Sequence, residues 1–539
     1  MAQIKFILRN RIQFSLITLM LLQFFLVGCN KSVETSPEAK LAFESLIPKP
    51  VSAEATGKAF FITAETEIHV AEEHLVKAGE FLAGKLRPAT GFALEVSVNS
   101  EKADKGILLN LSGEATLGEE GYTITILEDG LTLSAHKPAG LIRGIQTIRQ
   151  LLPAGIELNT VQQASWEIAT GTITDYPQYV WRGAMLDVAR HFFTVDEVKR
   201  YIDLISYYKI NILHLHLSDD QGWRIEIKSW PNLTKIGGST EVGGGEGGFY
   251  TQAEYADIVA YAQDHYITIV PEIDMPGHTN AALASYPELN EGPSINLEAS
   301  PTKPVAGKLY TGVEVGFSTL HIKKEITLKF VEDIVRELAS ITPGPYLHIG
   351  GDEAAVTKKD DYIQFINQFK TIVESHGKKM VGWEEIAQGD IDDNVMVQYW
   401  HAEKYANMAV DKGAKLILSP SKKVYLDMQY DSTSRIGLHW AAYIEVDSSY
   451  QWDPASYING VSAEHIAGVE APLWTETVQT MDDIEYLVFP RLPGVAEIGW
   501  SAAAARDWDT YKVRLGNQAK RWKNMEIDYY PSSVVPWQN

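Results

Sequence analysis

The segment Trp181-Arg-Gly-Ala-Met-Leu-Asp187 is an apolar run that predicts a buried β-strand, and Thr194-Val-Asp-Glu197 follows it closely. The Thr-x-x-Glu spacing is a capping box, which is typical of the first turn of a helix. After it, apolar residues at positions 198, 202 and 205 recur at the spacing of one helical face. A strand followed by an amphipathic helix is the repeating unit of a parallel α/β sheet.

The same unit recurs through residues 176–505, and a second capping box, Thr251-x-x-Glu254, opens another helix. Eight strand–helix units predict a (β/α)8 TIM barrel, with a doubly wound open sheet as the alternative. The candidate strands cover residues 181–187, 211–217, 267–273, 346–349, 380–383, 395–400, 415–419 and 465–469.

Residues 46–175 follow a different pattern. Alternating apolar and polar residues at 122–126 and 131–134 flank Glu128-Asp129-Gly130, which indicates a β-hairpin. Residues 141–152 then form an amphipathic helical pattern that Pro153 ends. We therefore expect a small α+β domain with an antiparallel sheet before the barrel, and a C-terminal helix and tail over residues 506–539.

The N-terminal residues look like a targeting segment rather than part of the fold. A basic start with Lys5, Arg9 and Arg11 precedes an apolar stretch at 14–27, which is short for a membrane span. Gly28-Cys29 ends a segment that resembles the lipobox of bacterial lipoproteins. We expect a signal peptide at 1–28, a lipid anchor on Cys29, a polar tether at 29–45 and export to the bacterial cell envelope. A chance cysteine after an uncleaved signal anchor is the alternative.

The composition narrows the range of partners. The chain has 70 acidic and 47 basic residues and a formal net charge of −23. Such an excess of negative charge argues against nucleic acid as a partner. Cys29 is the single cysteine, so the chain forms no intramolecular disulfide.

Polar side chains follow the candidate strands at the point where each strand ends. In a TIM barrel these ends converge on one face, which carries the catalytic groups. Two long connections, 279–320 and 421–464, leave the same face and are expected to form its walls. The polar residues concerned are Asp187, Asp219, Asp274, Asp352, Glu353, Glu384, Trp400 and Glu470.

The segment His348-Ile-Gly-Gly-Asp352-Glu353 is the most specific of these. Neighbouring side chains on a strand face opposite sides, so the two acids share a site only if the glycines turn the chain. Adjacent carboxylates repel, which favours the protonated form of one of them. A carboxylic acid that stays protonated near neutral pH suits the protonation of a glycosidic oxygen. Two solvated acids at a helix start are the alternative.

These motifs resemble the glycoside hydrolase family 20 β-N-acetylhexosaminidases, here in a bacterial lipoprotein form. The resemblance covers the whole predicted barrel in order, and residues 46–175 resemble the accessory domain of the family less specifically. The supporting motifs are His348-x-Gly-Gly-Asp-Glu353, Trp181–Asp187 continued to Arg190, Leu217-Ser-Asp-Asp-Gln-Gly-Trp223, Pro271-Glu-Ile-Asp-Met-Pro-Gly-His278, Gly382-Trp-Glu-Glu385, Gln398-Tyr-Trp400, Tyr425-Leu-Asp427 and Gly468-Val-Glu-Ala-Pro-Leu-Trp-Thr-Glu476.

The resemblance implies a retaining exo-glycosidase that removes terminal β-linked N-acetylhexosamine, GlcNAc or GalNAc, with no cofactor. The 2-acetamido group of the substrate is the nucleophile in this mechanism. Glu353 is implied as acid and base, Asp352 as the acceptor of the acetamido N–H, and Tyr425 as a donor to the acetamido oxygen. The other implied site residues are Arg182, Asp427 and Glu476 for sugar hydroxyls, Trp383, Trp400 and Trp474 as walls, and Asp219 and His278 as residues that orient Glu353.

Two other functions remain open from the residues alone. His214-Leu-His216 places two imidazoles on one side of a strand, and with Asp274 and His278 they could bind a metal in an amidohydrolase or deacetylase. Satisfied structural histidines are the simpler interpretation, and we expect no metal site. A non-catalytic glycan-binding lipoprotein could use the same aromatic residues without a protonatable Glu353.

Overall fold

The computed structural model describes residues 34–100, 105–290 and 304–538. The predicted signal peptide, Cys29 and the first residues of the tether lie outside the described residues. Within the described ranges, no helix combines the length and apolarity needed to cross a bilayer.

The N-terminal domain is a seven-stranded sheet in the order β1-β7-β5-β6-β4-β2-β3, with helices on it. The predicted hairpin is confirmed: β5 and β6 pair antiparallel, with Leu127 opposite Gly130 at the turn. Strands β1, β7, β5 and β6 pair antiparallel, whereas β6, β4, β2 and β3 pair in parallel. The strands are β1 (Ser52–Ile62), β2 (Ile68–Val70), β3 (Val96–Val98), β4 (Gly106–Asn110), β5 (Tyr122–Leu127), β6 (Gly130–Ala135) and β7 (Trp166–Asp175), and the helices are α1 (Pro37–Glu44), α2 (Val76–Thr90) and α3 (Pro138–Leu151).

The expected tether at 29–45 is wrong in its second half, because that part is folded. Helix α1 begins at Pro37 after the N-cap Ser36, whose hydroxyl accepts from the Ala39 N–H at 3.2 Å. Ala39 and Phe43 are buried against the sheet. The Ser-Pro pair is a helix-start signal that indicates this element in the sequence.

The second domain is a closed barrel of eight parallel strands in the order β10-β11-β12-β13-β14-β15-β8-β9. The predicted TIM barrel is confirmed, and each candidate strand is found within a few residues of its expected bounds. The strands are β8 (Trp181–Asp187), β9 (Ile212–His216), β10 (Thr268–Glu272), β11 (Tyr346–His348), β12 (Lys379–Trp383), β13 (Met396–Tyr399), β14 (Lys415–Leu418) and β15 (Ile466–Leu473).

Helices surround the barrel and bury their apolar faces against the strands. Both predicted capping boxes are present, with Thr194 and Thr251 each accepting from the backbone three residues on. The helices are α4 (Val195–Tyr207), α5 (Asn232–Lys235), α6 (Gln252–Asp264), α7 (Asn280–Ser285), α8 (Glu325–Ile341), α9 (Lys359–Ser375), α10 (Glu403–Asp411), α11 (Ser421–Val424), α12 (Val446–Tyr450), α13 (Pro454–Tyr457), α14 (Met481–Val488) and α15 (Arg491–Trp500).

The C-terminal segment 506–539 contains two helices rather than the single one expected, α16 (Trp508–Gly516) and α17 (Ala519–Asn524). They hold the two domains together. Arg514 pairs with Glu497 of the barrel domain at 2.7 Å and donates to the Leu46 carbonyl at 2.9 Å. Arg521 pairs with Glu157 of the N-terminal domain at 3.0 Å.

Candidate active site

A pocket of about 230 Å³ opens at the C-terminal ends of the barrel strands. It is lined by every predicted site residue except Arg182, Asp219 and Cys29, the last of which lies outside the described residues. The two long connections contribute walls, as expected, through Val313 and Val315 and through Leu438 and Trp440. The pattern of strand ends did not single out these four residues, because long loops carry no periodic signal.

The glycine pair after β11 places the carboxyl groups of both Asp352 and Glu353 in this pocket. Gly350 and Gly351 have φ values of +67° and +98°, which favour glycine. A Cβ at Gly350 would overlap the Asp274 carboxyl group. Glu353 itself has a φ of +45°, an uncommon value for a residue with a side chain. The turn that the sequence requires for a shared site is therefore present.

Asp352 is hydrogen-bonded to a second buried acid, Asp274. Burial and the nearby Asp352 charge raise the pKa of Asp274 well above its usual range. The protonated form of Asp274 is therefore favoured, and in that form Asp274 donates a hydrogen bond to Asp352. Burial also raises the pKa of Asp352, although His278 and the bond from Asp274 oppose the shift.

Glu353 ends a charged series that also contains His278 and Asp219. His278 Nε2 lies 3.5 Å from the Glu353 carboxylate, and His278 Nδ1 lies 3.2 Å from Asp219. Burial lowers the pKa of His278, but the charges of Asp219 and Asp352 outweigh it and raise this pKa well above its usual range. The contact with His278 is the largest of the effects that lower the pKa of Glu353.

These shifts correct one expectation about the acid pair. Repulsion between Asp352 and Glu353 is present, but burial is the main cause of the raised pKa of Asp352. The pKa of Glu353 moves the other way, and the proton of the His278–Glu353 pair resides on the imidazole. Neighbours in sequence therefore matter less here than the histidine that the fold brings from the loop after β10.

Aromatic rings form the sides of the pocket. The Trp383 and Trp474 rings are 5.8 Å apart at an interplanar angle of 37°. Tyr425 lies 6.3 Å from the Trp474 ring, and Trp440 lies 6.2 Å from the Trp400 ring. Flat apolar rings beside polar groups suit a pyranose, whose C–H faces stack on aromatic rings and whose hydroxyls lie around its rim.

The floor of the pocket carries unpaired acceptors. Both carboxyl oxygens of Asp427 and one of Glu476 are buried without a hydrogen-bond partner among the described residues. Burial, with the nearby Glu476, raises the pKa of Asp427 well above its usual range. Buried polar atoms without partners are uncommon in folded proteins, so these oxygens are candidates for hydrogen bonds with a ligand.

Arg182 is not part of this pocket, which corrects the prediction. It is completely buried between the domains, where it donates to the Tyr179 carbonyl at 2.8 Å and pairs with Glu120 at 2.5 Å. Arg190 lines the pocket instead and pairs with Asp219 at 2.8 Å. The signal was available: Arg182 lies near the start of β8, at the face opposite the catalytic one, whereas Arg190 follows the strand end at Asp187.

The remaining polar residues of the strand ends have structural contacts. Asp187 accepts from the Ala189 backbone N–H at 2.8 Å. Glu384 accepts from the backbone of Trp400 at 2.8 Å. Glu470 lies within β15 rather than beyond a strand, and it accepts from the Trp181 indole at 2.8 Å.

The two histidines of the suggested metal site are completely buried, and both ring nitrogens of each face carboxylates. His214 lies between Glu272 and Glu470, and His216 lies between Glu272 and Asp219. Each imidazole is therefore ion-paired with buried carboxylates, which is the arrangement expected of structural histidines.

Comparison with known proteins identifies the family of the chain. The family model "Glycosyl hydrolase family 20, catalytic domain" matches residues 179–503, and "Glycosyl hydrolase family 20, domain 2" matches residues 44–176. A β-N-acetylhexosaminidase from Cellulomonas fimi is 39% identical over 498 residues, which cover 92% of this chain and 97% of that protein.

Solved structures are also similar. The GH20 β-N-acetylhexosaminidase from Streptomyces coelicolor A3(2) is 51% identical with a TM-score of 0.87, and the match covers 92% of this chain and 99% of that one. A mutant β-hexosaminidase from Streptomyces plicatus, solved in complex with its product GlcNAc, is 50% identical with the same TM-score and covers 92% and 98%. From the matched models, these identities and the geometry of the pocket, we conclude that the chain belongs to glycosyl hydrolase family 20.

Proposed function

We propose that the protein is a retaining exo-β-N-acetylhexosaminidase that uses the 2-acetamido group of its substrate as the nucleophile. The observation that supports this proposal most directly is that Asp352 and Glu353 both line one small pocket that also contains unpaired hydrogen-bond acceptors. The similarity to curated β-N-acetylhexosaminidases and to a structure with bound GlcNAc supports the same substrate class.

In the first step the acetamido oxygen attacks the anomeric carbon and the glycosidic bond breaks. The imidazolium of His278 passes its proton to Glu353, which delivers it to the departing oxygen and is left as a carboxylate. Asp352 accepts the acetamido N–H and stabilises the positive charge that develops on the oxazolinium ring. The Tyr425 hydroxyl donates to the acetamido oxygen and orients it. Burial keeps this phenol neutral, because it raises the pKa of Tyr425 well above its usual range.

In the second step water attacks the anomeric carbon from the face that the aglycone has left. The Glu353 carboxylate takes the proton of that water and returns it to His278, while the carbon–oxygen bond of the oxazolinium breaks and the acetamide is restored. Two inversions at one carbon give net retention. The protein supplies no nucleophile of its own, so the acetamido group is required for turnover.

Arg190, Asp427 and Glu476 line the pocket, and the buried unpaired oxygens of the two acids would bind the hydroxyls of the terminal sugar. Hydroxyls bound in this way are free rather than glycosylated, which supports exo action. The rings of Trp383, Trp400 and Trp474 enclose the sugar and its acetamido group.

The test compares two aryl glycosides with the same leaving group. The β-N-acetylglucosaminide is expected to be hydrolysed at least about 10³-fold faster than the β-glucoside, which lacks the internal nucleophile. Similar kcat/KM values for the two would refute acetamido participation. A Glu353→Gln variant is the control for a binding protein: GlcNAc binding is expected to persist by calorimetry while turnover is lost.

We also propose that the protein is exported and held at the cell envelope by a lipid on Cys29. The lipobox-like segment that ends at Gly28-Cys29 supports this. Residues 30–33 alone separate Cys29 from Glu34, where the described chain begins, so the span is at most about 17 Å. The N-terminal domain would then lie next to the membrane. Cys29→Ser is expected to move the protein from the membrane fraction to the soluble fraction and to abolish metabolic labelling with palmitate; unchanged fractionation of this variant would contradict the anchor.

A further inference from the structure

The His214-Leu-His216 motif has no part in the reaction as described, yet both side chains are completely buried in the barrel. Alternate residues of a strand point to the same side, so both imidazoles enter the barrel interior from β9. His214 Nδ1 lies 2.8 Å from Glu470, and His214 Nε2 lies 3.0 Å from Glu272. His216 Nδ1 contacts the same oxygen of Glu272.

The line of contacts continues from His216 to the active site. His216 Nε2 lies 2.9 Å from Asp219, and the other oxygen of Asp219 lies 3.2 Å from His278. His278 then faces Glu353 at 3.5 Å. Histidines and carboxylates thus alternate without a break from the interior of the barrel to the group that protonates the leaving oxygen.

The charges along this line also alternate. Burial opposes protonation of the two histidines, but the surrounding carboxylates raise the pKa of His214 to about 9 and that of His216 to about 10. Burial likewise opposes ionisation of Glu272, and the histidines around it lower its pKa well below the usual range. His348, which lies 2.9 Å from Glu272, stays neutral because burial and the His214 cation lower its pKa.

Further acids lie around His216 and Asp219, so the His216 cation is important for keeping Asp219 ionised. Asp187, on β8, is the further acid that faces His216, and the ring of Trp474 lies 4.9 Å away. Asp219 also adjoins Asp220 and pairs with Arg190 at 2.8 Å. Arg190 lines the pocket and has a ligand to bind, whereas His216 is enclosed and keeps one set of partners.

We propose that His216 is a positioning residue of the reaction, whose enclosed cation keeps Asp219 ionised and directed at His278 and so sets the proton balance between His278 and Glu353. This inference rests on the proposed function, because it concerns the acid–base step of the hydrolysis. Besides Asp219, the acids that face His278 are Asp220, Asp274, Asp352 and Glu353. With so many acids around it, loss of the cation behind Asp219 raises the pKa values of the whole group.

The experiment compares His216→Gln with His214→Gln through the pH profile of kcat/KM on an aryl β-N-acetylglucosaminide. Both positions are histidines of one strand, equally buried and each between two carboxylates, so the control matches the test in chemistry and in stability cost. His216→Gln is expected to move both limbs of the profile to higher pH by about 0.5–1 unit. His214→Gln is expected to move them by less than about 0.2 unit, because Glu272 and His216 separate it from Asp219.

A structural role for His216 would lower kcat/KM by one factor at every pH and leave the limbs in place, and that result would overturn the proposal. Equal shifts in the two variants would overturn it too. If His216→Gln fails to fold, ¹⁵N-histidine NMR of the wild-type protein gives a second measurement. The His216 ring is expected to remain an imidazolium at pH 8, and a neutral ring at pH 7 would refute the idea. Failure of the proposed function shows separately, as absent hydrolysis of the N-acetylglucosaminide by the wild-type protein.

Discussion

His278 Nε2 lies 3.5 Å from the Glu353 carboxylate, and this contact decides which member of the acid–base pair carries the proton. The pKa of His278 is raised and that of Glu353 is lowered, so the free protein stores the proton on the imidazole. In the proposed mechanism Glu353 passes this proton to the leaving oxygen. A carboxylic acid of high pKa is therefore not required at position 353.

Replacing Tyr425 by Phe removes the hydroxyl that would orient the acetamido oxygen and leaves the ring packing against Trp474 in place. We expect kcat to fall by about 10²–10³-fold, the usual loss for one donor aimed at a charge that develops in the transition state. KM should change by less than about threefold, since the ring still forms the wall. Steady-state kinetics on an aryl β-N-acetylglucosaminide measures both values. A KM effect with unchanged kcat would contradict the assigned role.

Asp274 is predicted to act as a neutral hydrogen-bond donor to Asp352. Asp274→Asn keeps a donor and should retain kcat within about fivefold, whereas Asp274→Ala leaves Asp352 without it and should lose about 10–100-fold. The comparison of the two kcat values is the measurement. Equal losses in the two variants would show that the donated proton has no role.

The raised pKa of Asp352 has a consequence for the wild-type pH profile. Asp352 works as an anion, and protonation removes that anion as pH falls through its pKa. Because this pKa lies above the ordinary value of 3.8, the acid limb of kcat/KM should also lie above that value. A pH profile from pH 3 to pH 9 checks this, and activity that persists below the ordinary aspartate value would be inconsistent with it.

Arg190 and Arg182 provide a contrast between binding and stability. Arg190→Lys keeps the charge but loses the fork that would bind two hydroxyls, so kcat/KM should fall by about 10–100-fold. Arg182→Lys should leave the kinetic constants of the folded protein unchanged and lower the free energy of unfolding by about 1–3 kcal/mol, because Arg182 donates to the Lys209 and Tyr179 carbonyls and pairs with Glu120. Kinetics and urea denaturation of both variants test the assignment. If Arg182→Lys lowered kcat/KM and Arg190→Lys lowered only the free energy of unfolding, Arg182 and not Arg190 would be the residue of the site.

The raised pKa of Asp220 predicts that replacing this residue stabilises the protein in a pH-dependent way. Burial and the neighbouring Asp219 raise its pKa to about 6, while one of its oxygens accepts from Ser318 and Asn280 and the other has no hydrogen-bond partner among the described residues. The folded protein binds this proton more tightly than the unfolded chain does, so stability falls as pH rises from the unfolded pKa of about 3.9 to about 6.

Asp220→Asn removes that penalty and offers an amide N–H2 at the position of the unpaired oxygen. We expect the free energy of unfolding to increase by about 2–3 kcal/mol at pH 7.5 and by little at pH 4. Urea denaturation of both proteins at the two pH values gives the comparison. An equal gain at both values would show that titration of Asp220 is not the cause.

Much of the fold was predictable because each strand–helix unit carries its own local signals. The apolar runs, the capping boxes at Thr194 and Thr251 and the hairpin around Gly130 act over a few residues, and all are present in the structure. Helix α1 was missed because it is only eight residues long and buries just two of them, Ala39 and Phe43, which is too short for a clear helical period.

The site was predictable wherever position along a strand decides the face. Asp352, Glu353, Tyr425, Asp427 and Glu476 follow strand ends and share one pocket. Arg182 was predicted in the site in place of Arg190 because the motif was matched without asking at which end of β8 each arginine lies. Val313, Val315, Leu438 and Trp440 reach the pocket from loops, whose course depends on long-range packing.

By itself, the sequence determined the order of eight parallel strands, the ends at which polar groups collect and the glycine turn that allows Asp352 and Glu353 to share a site. Only the tertiary structure decided which charges surround each of them. Ionisation depends on distances of a few ångströms between groups such as His278 and Glu353, or Asp274 and Asp352, which are far apart along the chain. The periodicity of a sequence predicts the direction in which a side chain points. The pKa of that side chain depends on the burial and the neighbouring charges that the whole fold creates.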